Sequence, residues 1–261
     1  MRLFRFDDPT RKPDLSRLND HSRFLHPRYH GCVLDVVQAE GGGTRFSDSS
    51  STGNHGALQG TVGTWGVDGY QFNGSDNYLL FADHPSYDFT DFTITAIVNS
   101  SSYTANSGLL RKSNNYTLDI ASGSLRFLVW RSGGTTSLLV GSTPTVNTWR
   151  QVNARYRVGV LMDLSIYSLD ASVMSYASTS TNVLAHSQTS DALWVGRGFG
   201  AYLPAVFRLV RVYRRWASDG ELESLREAPY LEYQEARSWW FVPSAASTST
   251  TSRYFPLLGV G

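Results

Sequence analysis

Two turn-and-strand segments constrain this chain more than any other feature: DSSSTGNHGAL at 48–58 and YQFNGSDNYL at 70–79. In each, Asn, Gly, Asp and Ser cluster where the backbone must take positive φ or fold a side chain back onto its own amides, and each cluster opens into an apolar strand. Sharp turns feeding short strands imply antiparallel β-structure. The 261 residues are enough for a sizeable core, and all-β sandwiches of this size are commonly single domains. A 13% aromatic content and 23 glycines suit many strands joined by tight turns.

Further apolar or alternating runs, bounded by Gly, Ser, Asn or Pro, predict strands at 93–98, 107–111, 116–120, 125–130, 137–140, 149–156, 160–168, 193–196 and 206–213. Ser218 and Glu221 have the S-x-x-E spacing of a capping box, Leu222 and Leu225 share a face, and Pro229 stops the segment, so a helix is expected over 218–225. No internal repeat of the length used by propellers or solenoids is visible.

These segments together resemble the laminin-G-like, concanavalin A-like jelly-roll domain. That family shows a D-x-S-G-x-G-N-H-G-x-L loop, an F-x-G-x-D-x-Y/V strand and, near its end, F-x-G-x-I-D-x-V-R-I-Y before a short helix. YHGCVLDVVQAEGGG at 29–43 matches the first strand, FTDFTITAIV at 89–98 a core strand and VFRLVRVYRRW at 206–216 the last strand. The resemblance implies an all-β fold: a jelly-roll β-sandwich of two antiparallel sheets with one short C-terminal helix and extended terminal arms. The expected organisation is an N-terminal arm at 1–28, the sandwich at 29–228 and a C-terminal docking tail at 229–261.

Catalytic chemistry finds little support in the residues. Sandwich glucanases place paired acids on one strand at E-x-D-x-E-like spacing, so that one carboxylate attacks or assists while the other protonates the leaving oxygen. No such triplet occurs; Glu221, Glu223 and Glu227 fall on the helix as a solvated face, and Asp163 and Asp170 have no nameable partner. The six histidines (21, 26, 30, 55, 84 and 186) lack zinc spacing, and the single cysteine, Cys32, lies in an apolar run as a buried structural thiol. GGGTRFS at 41–47 lacks the G-K-[ST] of a phosphate loop. The expectation is a protein that is not an enzyme and has no cofactor.

Calcium is the one ion to weigh. The resemblance implies a structural Ca²⁺ under the first loop, held by an aspartate, loop carbonyls and an acid from the I-D-x-V-R-I-Y strand. Asp48, Ser50, Gly53 and Asn54 supply the loop half of that pattern, and oxygen ligands of this kind suit Ca²⁺. Arg208 stands where the acid is expected, and a guanidinium cannot ligate a cation. The favoured expectation is that Arg208 takes the metal's place and pairs with Asp48.

Partners are suggested by the ends of the chain. Trp239, Trp240 and Phe241, then Tyr254, Phe255, Leu257 and Leu258, form two apolar clusters separated by SAASTSTTS. Apolar groups of this size normally find a partner; they either dock on neighbouring chains, the favoured expectation, or fold back over their own sandwich. A net charge of +1, with 22 acids against 23 bases, argues against nucleic acid. No apolar run reaches the roughly 18 residues that span a bilayer as a helix. Residues 1–30 lack the apolar core of a secretory signal. A virion protein made in a host cytoplasm, such as a bacteriophage capsid-decorating or fibre-like component bound to the major capsid protein or to copies of itself, accommodates all of this. An intracellular protein or one cut from a longer precursor also does. The rival reading is a module for cell-surface glycans, using loops that carry Trp65, Tyr103, Asn106, Trp130, Asn147 and Tyr202. Lysine occurs only at 12 and 112, so positive charge is carried by arginine, including Arg211, Arg214 and Arg215. Arginine favours fixed contacts with carboxylates and aromatic faces, although a GC-rich genome gives the same bias.

Overall fold

A computed structural model describes residues 30–37, 43–66, 68–131, 134–139, 144–169, 174–181 and 183–227. Among them the strands are β1 (Cys32–Val37), β2 (Arg45–Phe46), β3 (Gly56–Gln59), β4 (Thr64–Gly66), β5 (Gly69–Gln71), β6 (Tyr78–Phe81), β7 (Phe92–Ser100) and β8 (Gly108–Lys112). There follow β9 (Tyr116–Ala121), β10 (Ser124–Arg131), β11 (Gly134–Leu139), β12 (Arg150–Arg157), β13 (Leu161–Ser168), β14 (Met174–Thr179), β15 (Leu193–Val195) and β16 (Ala205–Tyr213), then helix α1 (Asp219–Glu227).

The strands form two antiparallel sheets. Sheet A runs β14-β13-β12-β7-β16-β5-β4 with β1 also paired to β16, and sheet B runs β11-β10-β9-β8-β15-β6-β3-β2. Half of the pairings join consecutive strands and half join strands separated in the chain order, as in a jelly roll. The expected sandwich is observed, and the strands expected from 93 onward lie within a few residues of their expected positions.

The core lies between the sheets. From sheet A it takes Phe92, Ile94, Ala96, Val152, Ala154, Tyr156, Phe207 and Val210, and from sheet B Leu79, Phe81, Leu110, Leu118, Phe127, Leu193 and Val195. Phe92 is a hub: its ring meets Phe89, Tyr116, Phe127, Tyr156 and His186 at centroid distances of 4.9 to 5.9 Å. Burial pulls the His186 imidazole below its ordinary pKa, against the carbonyls of Ser187 and Phe89 at its nitrogens.

Both turn clusters behave as their composition implies. Gly53 and Gly74 take φ of 63° and 70°. Asn73 Oδ1 accepts from the Ser75 amide at 2.8 Å, and Asp76 Oδ2 from the Thr61 amide at 3.0 Å. The capping box is formed: the Ser218 amide donates to Glu221 Oε2 at 2.8 Å and the Glu221 amide to Ser218 Oγ at 3.3 Å. Helix α1 buries Leu222 and Leu225, and the Leu222 carbonyl accepts from Gln151 Nε2, which ties the helix to the outer face of sheet A. That face is a buried polar layer in which Thr95 Oγ1 and Gln151 Nε2 both donate to Asn153 Oδ1 and Arg155 pairs with Asp163 at 2.6 Å.

Candidate functional site

The first candidate, the Asp48 loop, is a closed hydrogen-bond knot. Asp48 Oδ1 accepts from the amides of Asp35 and Ser50, and Oδ2 from the Asn54 amide, Ser50 Oγ and Thr52 Oγ1, at 2.8 to 3.1 Å. Three backbone amides and the Ser50 hydroxyl turn donors toward the carboxylate, while the single proton of Thr52 Oγ1 is shared with a closer acceptor, the Val33 carbonyl at 2.7 Å. A cation needs oxygens turned toward it, so the loop fits a hydrogen-bond knot better than a bound calcium. Among the described residues there is also no cluster of three or more His, Cys, Asp and Glu arranged to hold a metal. Burial pushes the Asp48 carboxyl above its ordinary pKa, opposed by these donors.

Arg208 does not pair with Asp48. Its register against β7 is broken by a bulge between Phe207 and Leu209, its guanidinium reaches Asp68 at 2.8 Å, and it lies 3.9 Å from the Trp149 ring centroid. The arginine beside the loop is Arg211, opposite Asp35 on β1 and bonded to it at 2.8 Å with both side chains buried. The expected staple therefore exists three positions further along, and it reaches Asp48 through the Asp35 backbone amide.

A second constellation covers the outer face of sheet B. Leu110, Leu118, Phe127, Leu193 and Val195 point into the core, so the alternating residues Arg111, Thr117, Asp119, Arg126 and Trp194 face away from it. Strand register sets Trp194 opposite Arg111, Arg111 opposite Thr117, and Asp119 opposite Arg126. Arg126 clamps Asp119 in a bidentate pair, Nε at 2.9 Å and Nη2 at 2.7 Å.

The loop after β15 folds back across this face. The Gly198 amide donates to the Ala201 carbonyl, and Arg111 Nη1 donates to the Gly198 carbonyl, both at 3.0 Å. A Cβ at Gly198 would fall 2.0 Å from the Asn106 carbonyl oxygen, so no larger residue fits. The fold-back sets Phe199, 41% exposed, over Arg111 at 4.1 Å and Arg126 at 5.4 Å, with Trp130 beside it at 5.6 Å. Arg197 lies over Trp194 at 4.5 Å, Tyr78 at 4.8 Å and Tyr202 at 5.4 Å. The result is a half-exposed strip of alternating aromatic rings and guanidiniums from Trp130 to Tyr202.

Of the glycan candidates taken from the sequence, Trp130 and Tyr202 belong to this strip. Trp65 instead packs on Phe46 and Tyr70, the Tyr103 hydroxyl is buried, and Asn106 and Asn147 occupy left-handed turn positions with φ of 66° and 55°. Arg111, Arg126, Trp194 and Arg197 were missed. A strict period-two reading of the strands would have placed the first three on one face. Asp163, expected to lack a partner, pairs with Arg155, and Cys32 is buried as expected with its pKa raised by desolvation. Residues Trp239, Trp240, Phe241, Tyr254, Phe255, Leu257 and Leu258, as well as Asp170, His21 and His26, lie outside the described residues.

Two packed antiparallel sheets in jelly-roll order with one capping helix define a lectin-like sandwich. The chain belongs to the concanavalin A-like lectin/glucanases superfamily, whose laminin-G-type model matches residues 73–223. No curated protein matches it in sequence. Among solved structures it is similar to the binding domain of Paraclostridial Mosquitocidal Protein 1 (14% identity, TM-score 0.62, 78% of this chain and 53% of that one). It is also similar to the botulinum neurotoxin serotype D binding domain (10%, 0.59, 78% and 53%). A third is the botulinum neurotoxin DC binding domain in complex with SialylT (13%, 0.57, 76% and 52%). The chain thus spans about half the length of these structures, and the likeness is one of fold.

Proposed function

We propose that this protein is a non-enzymatic carbohydrate-binding module that takes glycans on the outer face of sheet B. The observation that carries the reading is the strip centred on Trp194, where half-exposed aromatic rings offer flat apolar surface to a sugar ring and guanidiniums offer donors to its hydroxyls. The outer face of sheet A is filled by its own polar layer and by α1, whereas on sheet B the strip stays half-exposed even though Thr117 and Asp119 beside it are buried. Membership of a superfamily that includes lectins, and likeness to toxin binding domains, one of them in complex with SialylT, support the same reading. The non-enzymatic part rests on the carboxylates: Asp119, Asp163 and Asp35 are each held by an arginine, which leaves them poor candidates for a glucanase acid pair.

A glycan array probed with the full chain and with Trp194→Ala tests this. Binding by the parent that falls about tenfold or more in a folded variant is the expected result, since ring stacking of this kind contributes on the order of 1 kcal/mol or more per contact. Undiminished binding by Trp194→Ala would remove the site from this face, and a parent silent on every glycan would remove the function. A role as a virion component, anchored through Trp239, Trp240 and Phe241, is a second proposal carried by the sequence alone. A glycan-binding sandwich displayed on a particle would satisfy both readings. Co-sedimentation of the native chain with a megadalton assembly is its test.

A further inference from the structure

The strip carries more positive charge than its own carboxylate can balance. Asp119 is consumed by Arg126, and Arg111 and Arg197 have no carboxylate partner among the described residues. The Arg197 side chain makes no hydrogen bond there either; what holds it is the ring set of Tyr78, Trp194 and Tyr202. Arg111 spends one amino group on the Gly198 carbonyl and lies over Phe199 and Trp194.

Both guanidiniums are packed against the same indole, at 5.3 and 4.5 Å from its centroid, so they repel one another across a partly desolvated patch. Desolvation and then Arg197 pull the Arg111 guanidinium below its ordinary pKa, with Asp119 and Asp191 opposing. An incoming anion relieves that repulsion, and a neutral hydroxyl does not.

We propose that Arg111 and Arg197 form an anion subsite within the glycan-binding face, which makes the protein selective for sugars bearing a carboxylate, such as sialic or uronic acids. The inference rests on the glycan reading of this face and names its ligand class. A carboxylate is planar with two oxygens at the spacing of a guanidinium fork. Trp194, Tyr78 and Tyr202 stand beside that fork to receive the apolar face of the same sugar.

The test uses matched pairs measured by titration calorimetry on the full chain: 3′-sialyllactose against lactose, and tri-galacturonate against its methyl ester. In at least one pair the acid should bind about tenfold or more tightly, about 1.4 kcal/mol. Arg197→Gln, which breaks no hydrogen bond among the described residues but gives up three ring contacts, should abolish that preference while the variant still unfolds in one cooperative transition a few degrees lower and still binds the neutral partner. Equal binding of acid and neutral partners, or a preference that survives Arg197→Gln, overturns the anion subsite and leaves glycan binding standing. So does silence from all four sugars when neutral glycans bind on an array. Binding of 3′-sulfolactose as tightly as 3′-sialyllactose overturns the carboxylate assignment. Absence of binding to any glycan overturns the parent reading and this one together.

Discussion

Replacing Asp48 by asparagine isolates what the loop carboxylate does. In the folded protein that carboxylate accepts from three backbone amides and two hydroxyls. The hydroxyls of Ser50 and Thr52 can turn to accept from a new amide group; the backbone amides of Asp35, Ser50 and Asn54 cannot. Whichever way the substituted side chain is flipped, its NH₂ faces at least one of those amides and strands it. A stranded buried donor costs about 1–3 kcal/mol, and the remaining bonds lose their charge assistance, so the total is about 2–4 kcal/mol.

Urea unfolding followed by tryptophan fluorescence measures this as a lower midpoint at unchanged slope. If the knot is metal-free, as its donors favour, the loss should be the same in chelator and in about 10 mM calcium. A real site of the affinity usual for extracellular modules would be saturated there and raise stability by more than about 1 kcal/mol. A variant within about 0.5 kcal/mol of the parent would refute the knot as a source of stability. A calcium-dependent rise in the parent alone would refute the metal-free reading.

Three other outcomes are expected. Phe92→Ala removes the ring shared by Phe89, Tyr116, Phe127, Tyr156 and His186 and should cost about 3–5 kcal/mol in the same unfolding assay. Glu221 is raised by burial but pulled further down, to about 2, by Arg215 and by the amide and hydroxyl of Ser218. Its contribution, about 1 kcal/mol for a partly exposed cap, is therefore complete above its unfolded pKa and fades as pH falls toward 2, so the gap between parent and Glu221→Gln should close over that acid range and hold steady near neutrality. Gly198→Ala forces a Cβ against the Asn106 carbonyl, so the loop bearing Arg197, Phe199 and Tyr202 must shift; glycan binding should be lost for a stability cost of about 1–3 kcal/mol.

The sandwich was legible because its signals are local. The turn clusters at 48–58 and 70–79, the alternation through β7 and β16, and the box at Ser218 and Glu221 are each written within a dozen residues and need no distant partner to be read. Strand β14, MSYAST, was missed because its Met, Tyr and Ala are interspersed with Ser and Thr and do not alternate strictly, and β4 because three residues carry no period. The strip was illegible for a different reason. Its members come from β6, β8, β10, β15 and the following loop, and only the non-sequential order of sheet B brings Arg111 beside Trp194. Trp130 and Tyr202 were named from the sequence as glycan candidates carried on loops; the arginines between them were not, because their relation depends on register. The Arg208 assignment failed through register as well, since matching a motif by letters takes no account of the bulge that turns position 208 toward Asp68.

The near absence of lysine acquires a structural meaning on this face. An ammonium at position 197 would be a compact, strongly hydrated charge with no plane to lay against Tyr78, Trp194 and Tyr202. A guanidinium is weakly hydrated enough to rest among three rings, and the Arg197 side chain does so while remaining half-exposed. The same chemistry recurs where Arg208 lies over Trp149 and Arg155 over Trp216, but there each arginine is also tied to a carboxylate, Asp68 in one case and Asp163 in the other. Ring contact alone therefore does not mark a ligand site in this protein. What separates Arg111 and Arg197 from those two is that their rings come without a counter-charge, on the sheet face that neither α1 nor the polar layer covers.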